Sequence, residues 1–173
     1  MISEKMQKAL NEQINWELYS AYLYLSMSSH FLSANLGGFA NWMRVQAQEE
    51  LFHAIKFYDF VHERGGKSLL QPVKAPPSDW NAPLAAFEAV LKHEQHVSKR
   101  INDLASMAVK EKDHATSIFL QWFVTEQVEE EASVIEVVQK LKLIGDAGGG
   151  LFMLDRELAQ RVFTMPATGA KKA

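Results

Sequence analysis

The chain has 173 residues, 47% of them hydrophobic, the length of a single domain with apolar material for one core. A formal charge of −3 and a pI near 6.1 carry no cationic bias, which argues against nucleic acid as a partner. Cysteine is absent, and with it disulfides, thiolate-bound zinc, iron–sulfur clusters and thiol catalysis.

In chain order, Met1-Ile2-Ser3-Glu4-Lys5-Met6 lacks the basic region and apolar run of a secretory signal. No stretch approaches about 18 uncharged apolar residues, so no membrane span is predicted and cytoplasm is the expected compartment. Ser3 is a candidate N-cap for a first helix that runs without Gly or Pro to about Ser33. Asn35-Leu36-Gly37-Gly38 breaks it, and a second helix continues to about Arg64, where Gly65-Gly66 stops it. Residues 67 to about 81, with Pro72 and Pro76-Pro77, read as a loop. Ser78 or Asn81 can cap a third helix with Pro83 in its first turn, where proline is tolerated. Asp113 is the expected cap of a fourth helix ending at Gly145. A short fifth helix is expected over about Leu151–Phe163, followed by a tail. Short connections make helices one and two antiparallel, and likewise three and four. The middle loop could span roughly 50 Å extended, enough to cross the bundle. The expected fold is all-α: a four-helix bundle with one long crossover and a short C-terminal helix.

Two triplets with identical spacing lie on these helices. Glu17, Glu50 and His53 are each followed 77 positions later by Glu94, Gln127 and Glu130. At about 100° per residue, each sits within the apolar stripe of its helix. Glu17 shares its face with Leu10, Ile14, Ala21 and Tyr24, and Glu50 with Met43, Ala47, His53 and Phe57. Glu94 shares its face with Val90, Val97 and Ile101, and Gln127 with Phe123, Glu130 and Val134. At about 1.5 Å rise per residue, all six fall within roughly 8 Å of one level. None of the four faces carries a Lys or Arg. Four clustered carboxylates without a cationic partner must bind protons or a cation. Mostly oxygen ligands with one imidazole suit Fe, Mn or Zn. A lone Glu-x-x-His such as Glu50-Leu51-Phe52-His53 is weak, because the i, i+3 pair recurs by chance; the six residues together are far more specific. A lone glutamate is usually a solvated charge, a lone histidine usually a hydrogen-bonded core residue, and Trp122 reads as packing. Tyr24 reads equally as core or as a redox-active neighbour. The run Glu126–Glu131 would ordinarily be a solvated face, but Glu126 and Glu129 lie beside the buried Glu130 and favour further metal binding.

Three segments carry a family resemblance: Asn15-Trp16-Glu17-Leu18-Tyr19-Ser20-Ala21-Tyr22-Leu23-Tyr24, Glu49-Glu50-Leu51-Phe52-His53-Ala54, and the stretch from Gln121 to Glu131. Through them the chain resembles the haem-free bacterial ferritins up to about residue 163. Residues 1–163 are then one ferritin-like diiron domain, and 164–173 a flexible tail. The ferritin-like carboxylate proteins are a standard example of this bundle, usually with a second Glu-x-x-His. Here Gln127-x-x-Glu130 stands in its place, as in ferritins that store iron.

The resemblance implies that Glu17, Glu50 and His53 hold one iron and Glu50, Glu94 and Glu130 a second, with Glu50 bridging and Gln127 close by. It implies a third iron at Glu49, Glu126, Glu129 and Glu130, and makes Tyr24 the tyrosine near the pair. The implied activity is ferroxidase: Fe(II) is oxidised by dioxygen or peroxide, and ferric oxyhydroxide is stored in a shell of 24 subunits. The fifth helix, with Leu151, Leu154, Leu158 and Val162 on one stripe, resembles the one lining fourfold axes; alternatively it folds onto its own bundle. Haem is not expected, since Leu51 stands where bacterioferritins place a haem-ligating Met. A rubrerythrin-type oxidase or peroxidase is the rival enzyme, but normally brings a Cys-x-x-Cys domain. A DNA-protecting miniature ferritin would not need Glu94 and Glu130, and a metal-free scaffold leaves four core acids unexplained.

Overall fold

The computed structural model describes residues 1–145 and 148–164. The expected tail therefore lies, beyond Thr164, outside the described residues. Five helices form: α1 (Glu4–Ser33), α2 (Gly37–Glu63), α3 (Pro83–Lys110), α4 (His114–Ile144) and α5 (Gly148–Leu158). No strand occurs among the described residues, and no helix among them is long and apolar enough to cross a membrane.

The helix starts follow local chemistry. Ser3 Oγ accepts from Met6 N at 3.0 Å, and Asp113 Oδ1 from Thr116 N at 3.1 Å, each satisfying an otherwise orphaned N–H. The cap of α3 differs from expectation. Ala82 takes the position without a side-chain bond, and Pro83 at the first turn supplies the preset φ instead. The ends of α1, α2 and α3 share one device: Leu36 N bonds Phe31 O, Gly66 N bonds Val61 O and Asp113 N bonds Ala108 O, all at 2.9 Å. Each needs a left-handed residue just before it, and these are Asn35 (φ 59°), Gly65 (φ 73°) and Lys112 (φ 56°). Arg64 pairs with Asp113 at 2.9 Å and so joins the end of α2 to the start of α4.

Two hairpins, α1–α2 and α3–α4, pack into the bundle. The loop between them runs along α1: Asn11 bonds the backbone of Lys67 and Leu69, and Ser26 bonds Pro77 O. Ser26 lies 15 positions after Asn11 on α1, so the crossover climbs about 22 Å of the bundle.

Helix α5 starts earlier and ends earlier than its stripe suggests, and it caps the bundle. Asp155 Oδ1 accepts from Gly38 N at 2.8 Å and Phe39 N at 3.1 Å, a carboxylate on the N-terminus of α2. A β-carbon at Gly38 would lie 1.6 Å from the Asp155 carbonyl oxygen, so glycine is what lets α5 approach.

The core divides into two apolar halves. One contains Met27, Phe31, Phe39, Met43, Phe87 and Val138, with Leu154 and Leu158 of α5. The other contains Met6, Leu10, Phe57, Val61, Ile101 and Leu120. In each long helix the boundary between them is polar: Glu17 on α1, Glu50 and His53 on α2, Glu94 on α3, Gln127 and Glu130 on α4.

Candidate metal centre

All six residues of the two triplets are buried, as their stripes require. One oxygen each from Glu17 and Glu50 and a His53 ring nitrogen lie within 4.8 Å of one another, close enough to share a metal ion. Burial drives His53 down to about 3, with the Lys56 charge adding to the effect, so the imidazole is neutral as a ligand must be. Its ring is held edge-on between Trp122 and Phe123, with centroids at 5.4 and 5.7 Å.

Three glutamines support the surrounding carboxylates. Gln13 Nε2 donates to Glu17 Oε1 at 2.8 Å, Gln46 Nε2 to Glu130 Oε2 at 2.5 Å, and Gln127 Nε2 to Glu94 Oε2 at 3.2 Å. Tyr24 OH also donates to Glu94 Oε1, and Gln127 reaches Ser98 Oγ at 3.2 Å. Gln13 is itself oriented by Arg100, whose Nε donates to its carbonyl at 3.0 Å while the guanidinium lies over Trp16. Gln13, Gln46, Ser98 and Arg100 are not among the residues that the sequence pattern singles out. The available signal was that Gln13 and Gln46 each stand one turn before a buried glutamate, Glu17 and Glu50, on its own face.

Glu50 differs from its neighbours. Its Oε2 and that of Glu17 are buried and take no donor from any other group among the described residues, so that the two carboxyls can only share a proton with each other, and Glu50 Oε2 lies 3.5 Å from His53 Nδ1. Burial, then the charges of Glu94, Glu17 and Glu130, push the Glu50 carboxyl well above the usual range. Burial also raises Glu17 and Glu130, with the Glu94 charge reinforcing the latter. Glu94 is pushed up to about 7 by burial, against the restraining bonds from Tyr24 and Gln127. The Tyr24 phenol is raised by burial and by the carboxylate facing it, so it remains a proton donor. These carboxylates either hold protons or face a cation. Two orphaned oxygens beside a neutral imidazole are the donor set an iron would fill.

The outer acidic residues separate. His53, Glu126 and Glu130 form a second set within 4.8 Å. Glu126 is raised by burial and by the charges of Glu129 and Glu49, while Glu129 is exposed to solvent. Glu49 Oε2 instead takes an ion pair at 2.6 Å from Arg161, a residue sequence reasoning did not connect with the site.

Residues 7–144 match the ferritin-like domain family. The chain is 48% identical over 161 residues to the "Bacterial non-heme ferritin" of Bacteroides fragilis (strain YCH46), covering 93% of this chain and 100% of the relative. With the protein of the same name from Staphylococcus saprophyticus it shares 40% identity over 94% of this chain and 98% of the relative. Among solved structures, an open-pore ferritin from the archaeon Archaeoglobus fulgidus superposes with a TM-score of 0.93 at 61% identity, covering 94% of this chain and 100% of that one. A form of that ferritin engineered to be closed gives 0.94 at 62% identity, covering 95% and 100%.

Proposed function

The chain belongs to the ferritin family and is an iron-storage protein with ferroxidase activity; we infer how its own residues carry that activity. We propose that Glu17, Glu50 and His53 receive one Fe(II) and that Glu50, Glu94 and Glu130 receive a second, Glu50 bridging. The observation that carries this reading is the pair of unpartnered oxygens, Glu17 Oε2 and Glu50 Oε2, buried beside His53. The three glutamines hold the outer carboxylate oxygens and leave these two for metal. Fe(II) entering this set displaces the protons that the raised carboxyls retain, since only the ionised form ligates well. Each Fe(II) gives up one electron; dioxygen accepts two with two protons and leaves as hydrogen peroxide, which can itself accept a further pair. The Tyr24 phenol, on Glu94, keeps that carboxylate oriented through the cycle.

Glu49, Glu126, Glu129 and Glu130 are proposed to receive a third iron on its way to the mineral, supported by the closeness of Glu126 to Glu130. We further propose a homo-oligomeric shell of 24 subunits in the cytoplasm. In support, the α1–α2 hairpin exposes Tyr22, Leu25, Leu51, Ile55 and Tyr58, and α5 exposes Phe152 and Met153, apolar groups suited to contact other copies. Haem is not proposed. Aerobic Fe(II) addition to the purified protein, with size-exclusion chromatography and electron microscopy, tests the reading. A hollow, mineral-filled shell is expected; oxidation without mineral retention would overturn storage in this form.

A further inference from the structure

Arg161 follows α5 and reaches back to α2. Its Nη2 lies 2.6 Å from Glu49 Oε2, its guanidinium lies 4.5 Å from the Trp42 ring centroid, and its Nη1 is buried with no partner among the described residues. The backbone that delivers it is tied down. Asn41 Nδ2 donates to the carbonyls of Leu158, Ala159 and Arg161 at 3.2, 3.3 and 2.9 Å, and Asp155 is fixed on the first turn of α2. The chain that closes α5 onto the bundle thus delivers a cation to the carboxylate next in sequence to Glu50.

We propose that Arg161 is a built-in counter-cation for Glu49, which a third metal must displace or bind beside, so that iron at this position is held loosely and passes on. The inference rests on the proposed third iron position at Glu49, Glu126, Glu129 and Glu130. A guanidinium and a divalent cation compete for Glu49 Oε2. If the metal took the other oxygen instead, the two positive charges would repel at close range in a partly buried setting. Removing the positive charge relieves both costs.

The test uses assembled, mineral-free protein and anaerobic Fe(II) titration by calorimetry, in wild type, Arg161→Gln and Arg161→Lys. The expected result is that Arg161→Gln tightens the third equivalent at least about tenfold and the first two less than about twofold, while Arg161→Lys stays near wild type. A third equivalent of unchanged affinity in Arg161→Gln overturns the role of Arg161 and leaves the third position standing. Saturation at two equivalents in both wild type and Arg161→Gln overturns the third position itself, and this inference with it.

Discussion

Gln46 on α2 reaches across the bundle to α4, donating from Nε2 to Glu130 Oε2 at 2.5 Å, while its own carbonyl oxygen is buried without a partner among the described residues. The amide is therefore committed to one task, orienting Glu130. Gln46→Leu removes the donor and keeps the volume. Leaving Glu130 unsatisfied costs about 1–3 kcal/mol in the metal-free protein, offset in part because the orphaned Gln46 carbonyl goes with the amide. Metal gives Glu130 another partner, so the loss should shrink once Fe(II) or Zn(II) is bound. Paired thermal melts of both proteins, with and without metal, check this. An equal drop in the two states would mean that Gln46 acts as packing alone.

Proton and metal compete for the same carboxylates, which gives the metal-free protein a defined pH response. Glu94 rises from its ordinary 4.5 to about 7 on folding, so between those values the native state binds more protons than the unfolded chain. Stability from this group is full below about 4.5 and is lost as pH rises through about 7. The raised Glu50 and Glu130 carboxyls act in the same direction. Metal binding reverses the trend, because the ionised carboxylates are what it needs. The rise in melting temperature on anaerobic Fe(II) binding should therefore grow from about pH 5 to about pH 8. A metal-induced rise that is constant across that range would show that the carboxyls are ionised without metal.

The buried carboxylates were legible in the sequence because burying a carboxylate on an apolar stripe is costly and so is informative: Glu17, Glu50, Glu94 and Glu130 stand out by contrast with Ile14, Ala47, Val97 and Val134. The supporting shell was not legible for the converse reason. A glutamine on such a stripe is neutral and unremarkable, so Gln13 and Gln46 carry no comparable signal. Arg100 and Arg161 act across helices, and periodicity along one helix says nothing of what crosses to it. Helix α5 begins at Gly148 and not near Leu151, because three consecutive glycines carry no helix preference of their own from which its start could be placed. In the fold they begin the helix, and Gly150 packs where an added β-carbon would come 2.9 Å from the Ile144 side chain.

Gly38→Ala tests how α5 is attached. The added carbon would meet the Asp155 carbonyl oxygen at 1.6 Å and its carbon at 2.5 Å, both backbone atoms, so one helix must move. Overpacking of this kind costs about 1–3 kcal/mol, and here the two cap bonds to Asp155 are lost as well. Amide exchange within α5 should rise strongly, while the other half of the core, around Phe57 and Leu120, stays protected. If α5 remained as protected as in wild type, its seat would be more compliant than the geometry allows.

The inner and outer acidic residues should have opposite kinetic signatures. Glu50 is proposed to bridge both irons, and neither retains its shared ligand in Glu50→Ala. The fast oxidation phase should fall by more than about a hundredfold, since even outer-shell partners of a metal cost about 10–100-fold. Glu129 is exposed and contributes to the surroundings of Glu126, not to the Glu17–Glu50–His53 set. Glu129→Ala should keep the fast phase, and anaerobic binding should fall from about three Fe(II) per chain to about two, following the ligand count each metal needs. Stopped-flow oxidation and anaerobic titration on both variants separate the cases. A fast phase slowed as severely by Glu129→Ala as by Glu50→Ala would mean that the outer position is part of the oxidation centre, and its division from the Glu17–Glu50–His53 set would fail.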